Sequence, residues 1–284
     1  MDNEEYLLMI LSDGNLPTGA FVASSGLESY IKHGHPSGSN STAPETTINF
    51  MRDSLHSYAH SAIPFVQHAH QIMGSSRDDD TLDRLLELDE LYDKMTLNHV
   101  ARRASKTQGV ALLTLYSRGF SLPSVLRRPS DTAQPEGEDK TAQLVDMLKL
   151  KVRQGRTPGH LPICWSILTS ALELSSERST EVHLFLYARS ILSSAIRLNT
   201  LGPYGAQQLL LHIVKPLVRE LAKSQFGNVI VAGIKPLKSR DVGTVGVGQG
   251  EEDEGDLDGP ANTWPLGEIL AARHDLQHSR IFNS

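Results

Sequence analysis

The sequence predicts an all-α protein: a single helical-bundle domain of about ten helices joined by long polar loops. Three observations carry that reading. Apolar residues recur at steps of three and four along most of the chain. Strand signals shrink to one short β-branched run, Val229-Ile230-Val231, between Gly227 and Gly233. The composition is globular, with 39% hydrophobic residues in 284, enough to close a core.

Helical patterns cover residues 4–12, 24–34, 45–73, 99–118, 142–153, 160–175 and 265–280. Three stripes between them are sharper. Leu82, Leu85, Leu88, Leu91, Tyr92 and Met95 share one face, opposite Arg84, Glu87, Glu90, Asp93 and Lys94. Val182, Phe185, Ala188, Leu192, Ala195 and Ile196 form a second stripe, with Ser179 or Thr180 as its N-cap. Leu210, Ile213, Val214, Leu217 and Leu221 form a third. Pro64 and Pro216 fall inside such patterns and predict a break or kink at each. Composition sets the expected divisions: a helical body over 1–237, a mobile acidic Gly-rich loop over 238–264 and a tail over 265–284. Residues 35–44 and 128–140 read as further polar loops.

Charge excludes some functions. The net charge of −6 equals the six acids Glu251, Glu252, Asp253, Glu254, Asp256 and Asp258, so the rest of the chain is balanced. No basic footprint for nucleic acid emerges. No run approaches the roughly 18 apolar residues of a membrane-spanning helix. The opening Met1-Asp2-Asn3-Glu4-Glu5 is acidic where a secretory signal is basic and then apolar, and Cys164 is the single cysteine. The expectation is a soluble, cytoplasmic protein.

Candidate chemistry is sparse. Asp79, Asp80 and Asp83 fit the D-D-x-x-D pattern by which all-helical isoprenoid synthases hold magnesium. No second acidic motif answers it, and acids at a helix start complement the helix dipole. His56 and His60, and His274 and His278, have the i,i+4 spacing that puts two imidazoles on one helix face; His68 and His70 lie two turns beyond the first pair. No third ligand motif follows either pair. The Gly-rich run 243–250 lacks the strand, helix and lysine of a phosphate cradle, and acids follow it. Cys164 sits in the apolar run 161–168, as a core residue would. The residues alone favour a binding or assembly role over catalysis.

Three stretches say more. The first runs through Leu16-Pro17-Thr18-Gly19-Ala20-Phe21 and Ser25-Gly26-Leu27-Glu28-Ser29-Tyr30. The second is Leu201-Gly202-Pro203-Tyr204-Gly205-Ala206-Gln207-Gln208, after Arg197. The third is the ending Arg273-His274-Asp275-Leu276-Gln277-His278-Ser279-Arg280-Ile281-Phe282-Asn283-Ser284. Together they resemble the UreF family of urease accessory proteins, in its opening signature, its Gly-Pro junction and its R-H-E-x-Q-x-S-R-L-F-x-S ending. Ala20 and Asp275 depart from the commonest family residues, and the long loops suit a eukaryotic, fungal-type member.

The resemblance implies an all-α, non-enzymatic assembly factor that dimerises and binds the UreD/UreH scaffold. It also implies recruitment or regulation of the UreG GTPase, so that nickel reaches apo-urease through the complex, with no cofactor held by this chain. The residues that match the motifs become candidate partner-binding residues: Pro17, Gly19, Phe21, Gly26, Glu28, Gly202, Tyr204, Gln208, His274, Ser279, Arg280 and Phe282. The tail 265–284 carries Leu266, Ile269, Leu270 and Leu276 at helical spacing and ends in Arg280-Ile281-Phe282. Arg and aromatic residues are enriched at interface hot spots, which marks the tail as the expected scaffold-docking element.

Overall fold

A computed structural model of the chain describes residues 2–33, 42–75, 80–121, 136–224 and 259–284. Eleven α-helical segments, and no strand, occur among the described residues. They are α1 (Asn3–Leu11), α2 (Leu27–Lys32), α3 (Ala43–Gly74), α4 (Thr81–Met95), α5 (His99–Leu115) and α6 (Glu136–Arg153). Then come α7 (Leu161–Ala171), α8 (Ser176–Arg197), α9 (Pro203–Leu209), α10 (Lys215–Lys223) and α11 (Pro265–Ala272). The predicted all-α class holds. Val229-Ile230-Val231, Asp79 and nearly all of the acidic loop lie outside the described residues.

The helix starts follow from local chemistry. Thr42 and Glu45 form a capping box at α3, each side chain bonding the other's backbone N–H. The Asn98 side chain accepts from Val100 and Ala101 N–H at α5, and Ser175 accepts from Arg178 N–H at α8.

The 32-residue α3 is the axis of the fold, lined on either side by α7 and α8. Its buried face presents Phe50, Met51, Leu55, Ile63, Phe65, Val66 and Ile72 to Trp165, Leu184, Leu192 and their neighbours. Leu85 and Leu88 bring the predicted stripe of α4 into the same core, and Leu217 and Leu221 bring that of α10.

Neither proline breaks its helix as the pattern predicts. Pro64 has no N–H for His60 O, and the Ala261 N–H fills that acceptor at 3.3 Å while α3 runs on. Pro216 likewise offers no N–H to His212 O. There the backbone widens into a π-turn over Leu210–Val214, directly before α10.

One buried polar junction locks α4, α5 and α7 together. Asp89 accepts from Thr157 Oγ1 at 2.5 Å, Gly159 N at 2.6 Å and His160 N at 2.8 Å. His160 is fully buried and bonds Ser105 Oγ at 3.0 Å and Asp93 Oδ1 at 2.9 Å. Burial pushes the His160 imidazole pKa down, against the pull of Asp89 and Asp93. Gly109 faces this turn so closely that a Cβ there would stand 2.2 Å from Gly159 O. Helices α5 and α7 meet where only hydrogen fits.

Candidate partner-binding surface

The tail is the part of the molecule where the sequence motifs converge. It is docked on the body, although the segment before it reads as a mobile loop. Gly26, at φ +88°, turns the chain into α2, and its Cα lies so near α11 that a Cβ would meet Ala271 Cβ at 3.0 Å. At the third residue of α2, Ser29 Oγ donates to Leu270 O at 2.5 Å. Trp264, just ahead of α11, packs on Phe50 and Tyr30 with ring centres 5.4 and 6.0 Å away.

Beyond α11 the expected helix stops. Residues Arg273–Leu276 form a single 3-10 turn and Gln277 is extended. The i,i+4 rule needs an α-helix, so the His274/His278 pair separates: His274 is buried and His278 exposed. His274 Nε2 lies 3.2 Å from Phe282 O, and burial lowers its pKa.

Glu28 is the anchor of the last residues. Its fully buried carboxylate accepts from Ile281 N at 2.8 Å and Phe282 N at 3.1 Å, with Lys32 Nζ 3.2 Å away. Burial alone would raise its pKa, but these donors outweigh that effect and leave it below the ordinary glutamate value. Phe282 is 2% exposed. The Arg197 guanidinium stands over its ring at 4.2 Å and over Phe21 at 3.9 Å, a double cation–π contact across the chain's two ends. Asn283 N–H donates to Val22 O at 2.9 Å and Ser24 N–H to Ser284 O at 2.5 Å.

Asp275 forms a second hub. Arg103 pairs with it bidentately, both bonds at 2.9 Å, and also donates to Asn283 O. Arg280 reaches it at 2.7 Å and His99 at 3.2 Å. The Arg103 guanidinium holds the Asp275 carboxyl well below the usual carboxylate range. An open cleft of about 340 Å³ lies among Arg103, Asp275, Arg280 and Asn283.

The candidate residues thus fall into three places. Gly26, Glu28, His274 and Phe282 are buried among the chain's own elements, where they hold the tail down and do not face outward. Pro17, Gly19 and Phe21 are exposed in the turn before α2, Gly19 at φ +74°, while Ser279 and Arg280 are exposed on the tail. Gly202 caps α9 and Tyr204 and Gln208 stand on it, all three exposed, Tyr204 to 88%. Sequence reasoning missed Arg103 and Arg197 as the tail's partners. Arg197 heads the Gly-Pro stretch and Asp275 lies in the ending, but Arg103 pairs with Asp275 across 172 positions, a distance that leaves no local trace.

Outward faces remain apolar. Leu266, Ile269 and Leu276 are exposed on α11 and the turn after it, and Leu97 is 85% exposed where Asn98 Nδ2 ties the α4–α5 corner to Glu268 O. The other candidate sites disperse. Asp80 and Asp83 are exposed at the start of α4. His60 Nδ1 is turned to His56 O at 2.9 Å, and His70 bonds Leu174 O. Among the described residues no group of three or more His, Cys, Asp or Glu is placed to hold a metal ion. Cys164 is buried, as expected, and burial raises its thiol pKa.

Comparison with known proteins agrees with the motifs. The UreF family model matches residues 41–214. The chain is 40% identical to urease accessory protein 6 of Cryptococcus neoformans, over 99% of this chain and 97% of that one. It is 26% identical to an uncharacterized UreF-like urease accessory protein of Schizosaccharomyces pombe, with the same coverage. It is also 28% identical to urease accessory protein F of Oryza sativa, over 75% of this chain and 70% of that one. A family match across more than half the chain, a relative aligned end to end and an all-helical body with the motifs in place lead to one conclusion: this chain belongs to the UreF family, and to its fungal type.

Proposed function

We propose that this chain is an assembly factor for urease, one that binds a UreD/UreH-type scaffold and recruits or regulates a UreG-type GTPase while nickel enters apo-urease. It works by protein contact, forms a homodimer, and holds no cofactor of its own. The observation that carries the reading is the end-to-end similarity to a fungal urease accessory protein. The surface supports it. Leu97, Leu266, Ile269 and Leu276 offer exposed apolar side chains on and beside a tail whose buried side is already satisfied. Exposed large hydrophobics grouped on one face mark association surfaces. Tyr204 and Leu211, exposed on α9 and the π-turn after it, favour a second contact face for the homodimer.

The test is co-purification of the full chain with scaffold, GTPase and apo-urease, followed by urease activation. Ile269→Asp with Leu276→Asp should keep the melting temperature and lose scaffold capture. Undiminished capture would remove the tail from the interface. The competing enzymatic reading rests on Asp79, Asp80 and Asp83. Changing all three to Asn should leave urease activation intact, whereas an isoprenoid-type enzyme would be silenced.

A further inference from the structure

The second half of α6 packs against α5 and α7 and takes no part in the hydrogen bonds and ion pairs that hold the tail. Its inner face is committed, with Leu144, Val145 and Leu148 buried against α5 and α7. Its outer face carries two neighbouring apolar side chains, Met147 at 45% and Leu150 at 52% exposure. They are three residues apart and adjoin on the helix surface. Lys151 flanks Met147 and Arg153 flanks Leu150, and Arg156 follows in the turn after the helix. Among the described residues none of these three cations has an acidic partner. Asp146 lies on the same half-helix, and Lys149 approaches it at 3.8 Å while donating to Ser117 Oγ.

We infer that this face of α6 docks an acidic amphipathic helix of another protein in the urease maturation assembly. Its carboxylates would straddle an apolar pair and meet Lys151, Arg153 and Arg156. The inference rests on the assembly-factor reading and assigns a contact distinct from the tail.

Charge selects the occupant. A second copy packed face to face on the same half-helix would set cation against cation, which opposes association. A lipid surface would be attracted by the cations. Two partly exposed apolar side chains, however, fall short of the broad apolar face by which an interfacial helix enters a bilayer. An acidic helix satisfies both features at once, and methionine suits it because its unbranched side chain adapts to the partner's shape. Rim charges of this kind act mainly on association rate and its salt dependence.

The test uses the full-length chain and the purified scaffold, GTPase and apo-urease, each titrated separately and as the assembled complex at two salt concentrations. Lys151→Glu with Arg153→Glu and Arg156→Glu should leave the melting temperature unchanged. Affinity for one of these partners should fall at least tenfold, and its salt dependence should flatten. A photo-crosslinking residue at Met147 should then label an acidic, apolar helical stretch of that same partner. Unchanged affinity for all three partners would overturn the inference, as would crosslinking to a second copy or selective binding of wild type to phosphatidylserine vesicles. Failure of the wild-type chain to bind any of the three would sink the assembly-factor reading itself, so the two failures are distinguishable.

Discussion

Replacing Phe282 with Ala tests whether the tail is held as a separable strap. The ring is almost wholly buried, under Arg197 and beside the Glu28 carboxylate. Removing a buried phenylalanine ring costs about 3–5 kcal/mol when the surroundings cannot collapse. What remains is polar: the Ile281 and Phe282 N–H bonds to Glu28, the Asn283 N–H bond to Val22 O, the Ser24 N–H bond to Ser284 O, the bonds of Arg103 to Asn283 O and of Lys32 to Ser279 O, the His274 contact with Phe282 O and the Arg280–Asp275 pair. Hydrogen bonds to a charged acceptor contribute about 1.5–3 kcal/mol each, and neutral ones about 0.5–1.5. The lost ring is the largest single contribution to the hold, so residues 279–284 should open far more often while α11 stays seated through Trp264 and Leu270. Hydrogen exchange followed by mass spectrometry reads this directly. Amides 281–283 should exchange about two to three orders of magnitude faster than in wild type, at 1.4 kcal/mol per tenfold. Amides in α3 and α7 should be unaffected. Unaltered protection at 281–283 would refute the anchoring role. Loss of protection of the same size throughout α3 and α7 would show that tail and body unfold as one unit.

Three further outcomes follow from the packing. Gly109→Ala places a methyl 2.2 Å from Gly159 O, a backbone atom that cannot move aside alone, so stability should fall by about 1–3 kcal/mol or more; a melting temperature equal to wild type would mean that α5 and α7 do not meet there. Leu85→Asp puts a carboxylate into a fully buried site, a penalty of several kcal/mol against a total stability of roughly 5–15, and should abolish soluble expression. His183 is buried, and burial pushes its pKa down to about 3. The folded state therefore binds fewer protons than the unfolded state between that value and 6.5, so the contribution of His183 is complete above pH 6.5. It should be lost as pH falls, by up to about 1.4 kcal/mol per pH unit, and His183→Gln should flatten that slope in urea titrations. Equal slopes for the two proteins would rule out His183 as the acid-sensitive group.

The helices were legible because most carry their own period and some a start signal, although the Ser179 or Thr180 cap read for α8 lies four or five residues beyond Ser175, which caps that helix. Thr42 and Glu45 announce α3 before any tertiary contact is known. Where the pattern predicted a break or kink, Pro64 leaves α3 unbroken and Pro216 leaves a π-turn ahead of α10, for reasons partly outside the local sequence. The donor that completes His60 O comes from Ala261, almost 200 positions later, and a π-turn absorbs the second misfit. The same holds for the tail. Its Arg and aromatic residues pointed to an interface, and the surface they find is this chain's own: Glu28 for the Phe282 backbone, Arg197 for its ring. A hot-spot composition identifies groups that bury well and does not say in which molecule. The His274/His278 spacing misled in a simpler way, since it presumes an α-helix and the backbone there is 3-10 and then extended.

The arrangement makes α5 the link between the tail and the core. Arg103 on its outer side holds Asp275 and Asn283, and Ser105, two residues on, enters the buried junction with His160. Arg102 and Lys106, flanking these positions, both approach Asp93, which also bonds His160. Burial would raise the Asp93 pKa, but the Lys106 and His160 bonds outweigh it, so this carboxylate stays charged across the neutral range. One turn of α5 therefore contacts two carboxylate hubs, the half-buried Asp93 beside the structural junction and Asp275 at an open cleft. A load on the tail at Asp275 is transmitted to a helix that Gly109 fixes against α7, with little room to slide. In the proposed role, a partner bound to the tail at Asp275 would therefore pull on α5 and, through it, on the buried junction with α7.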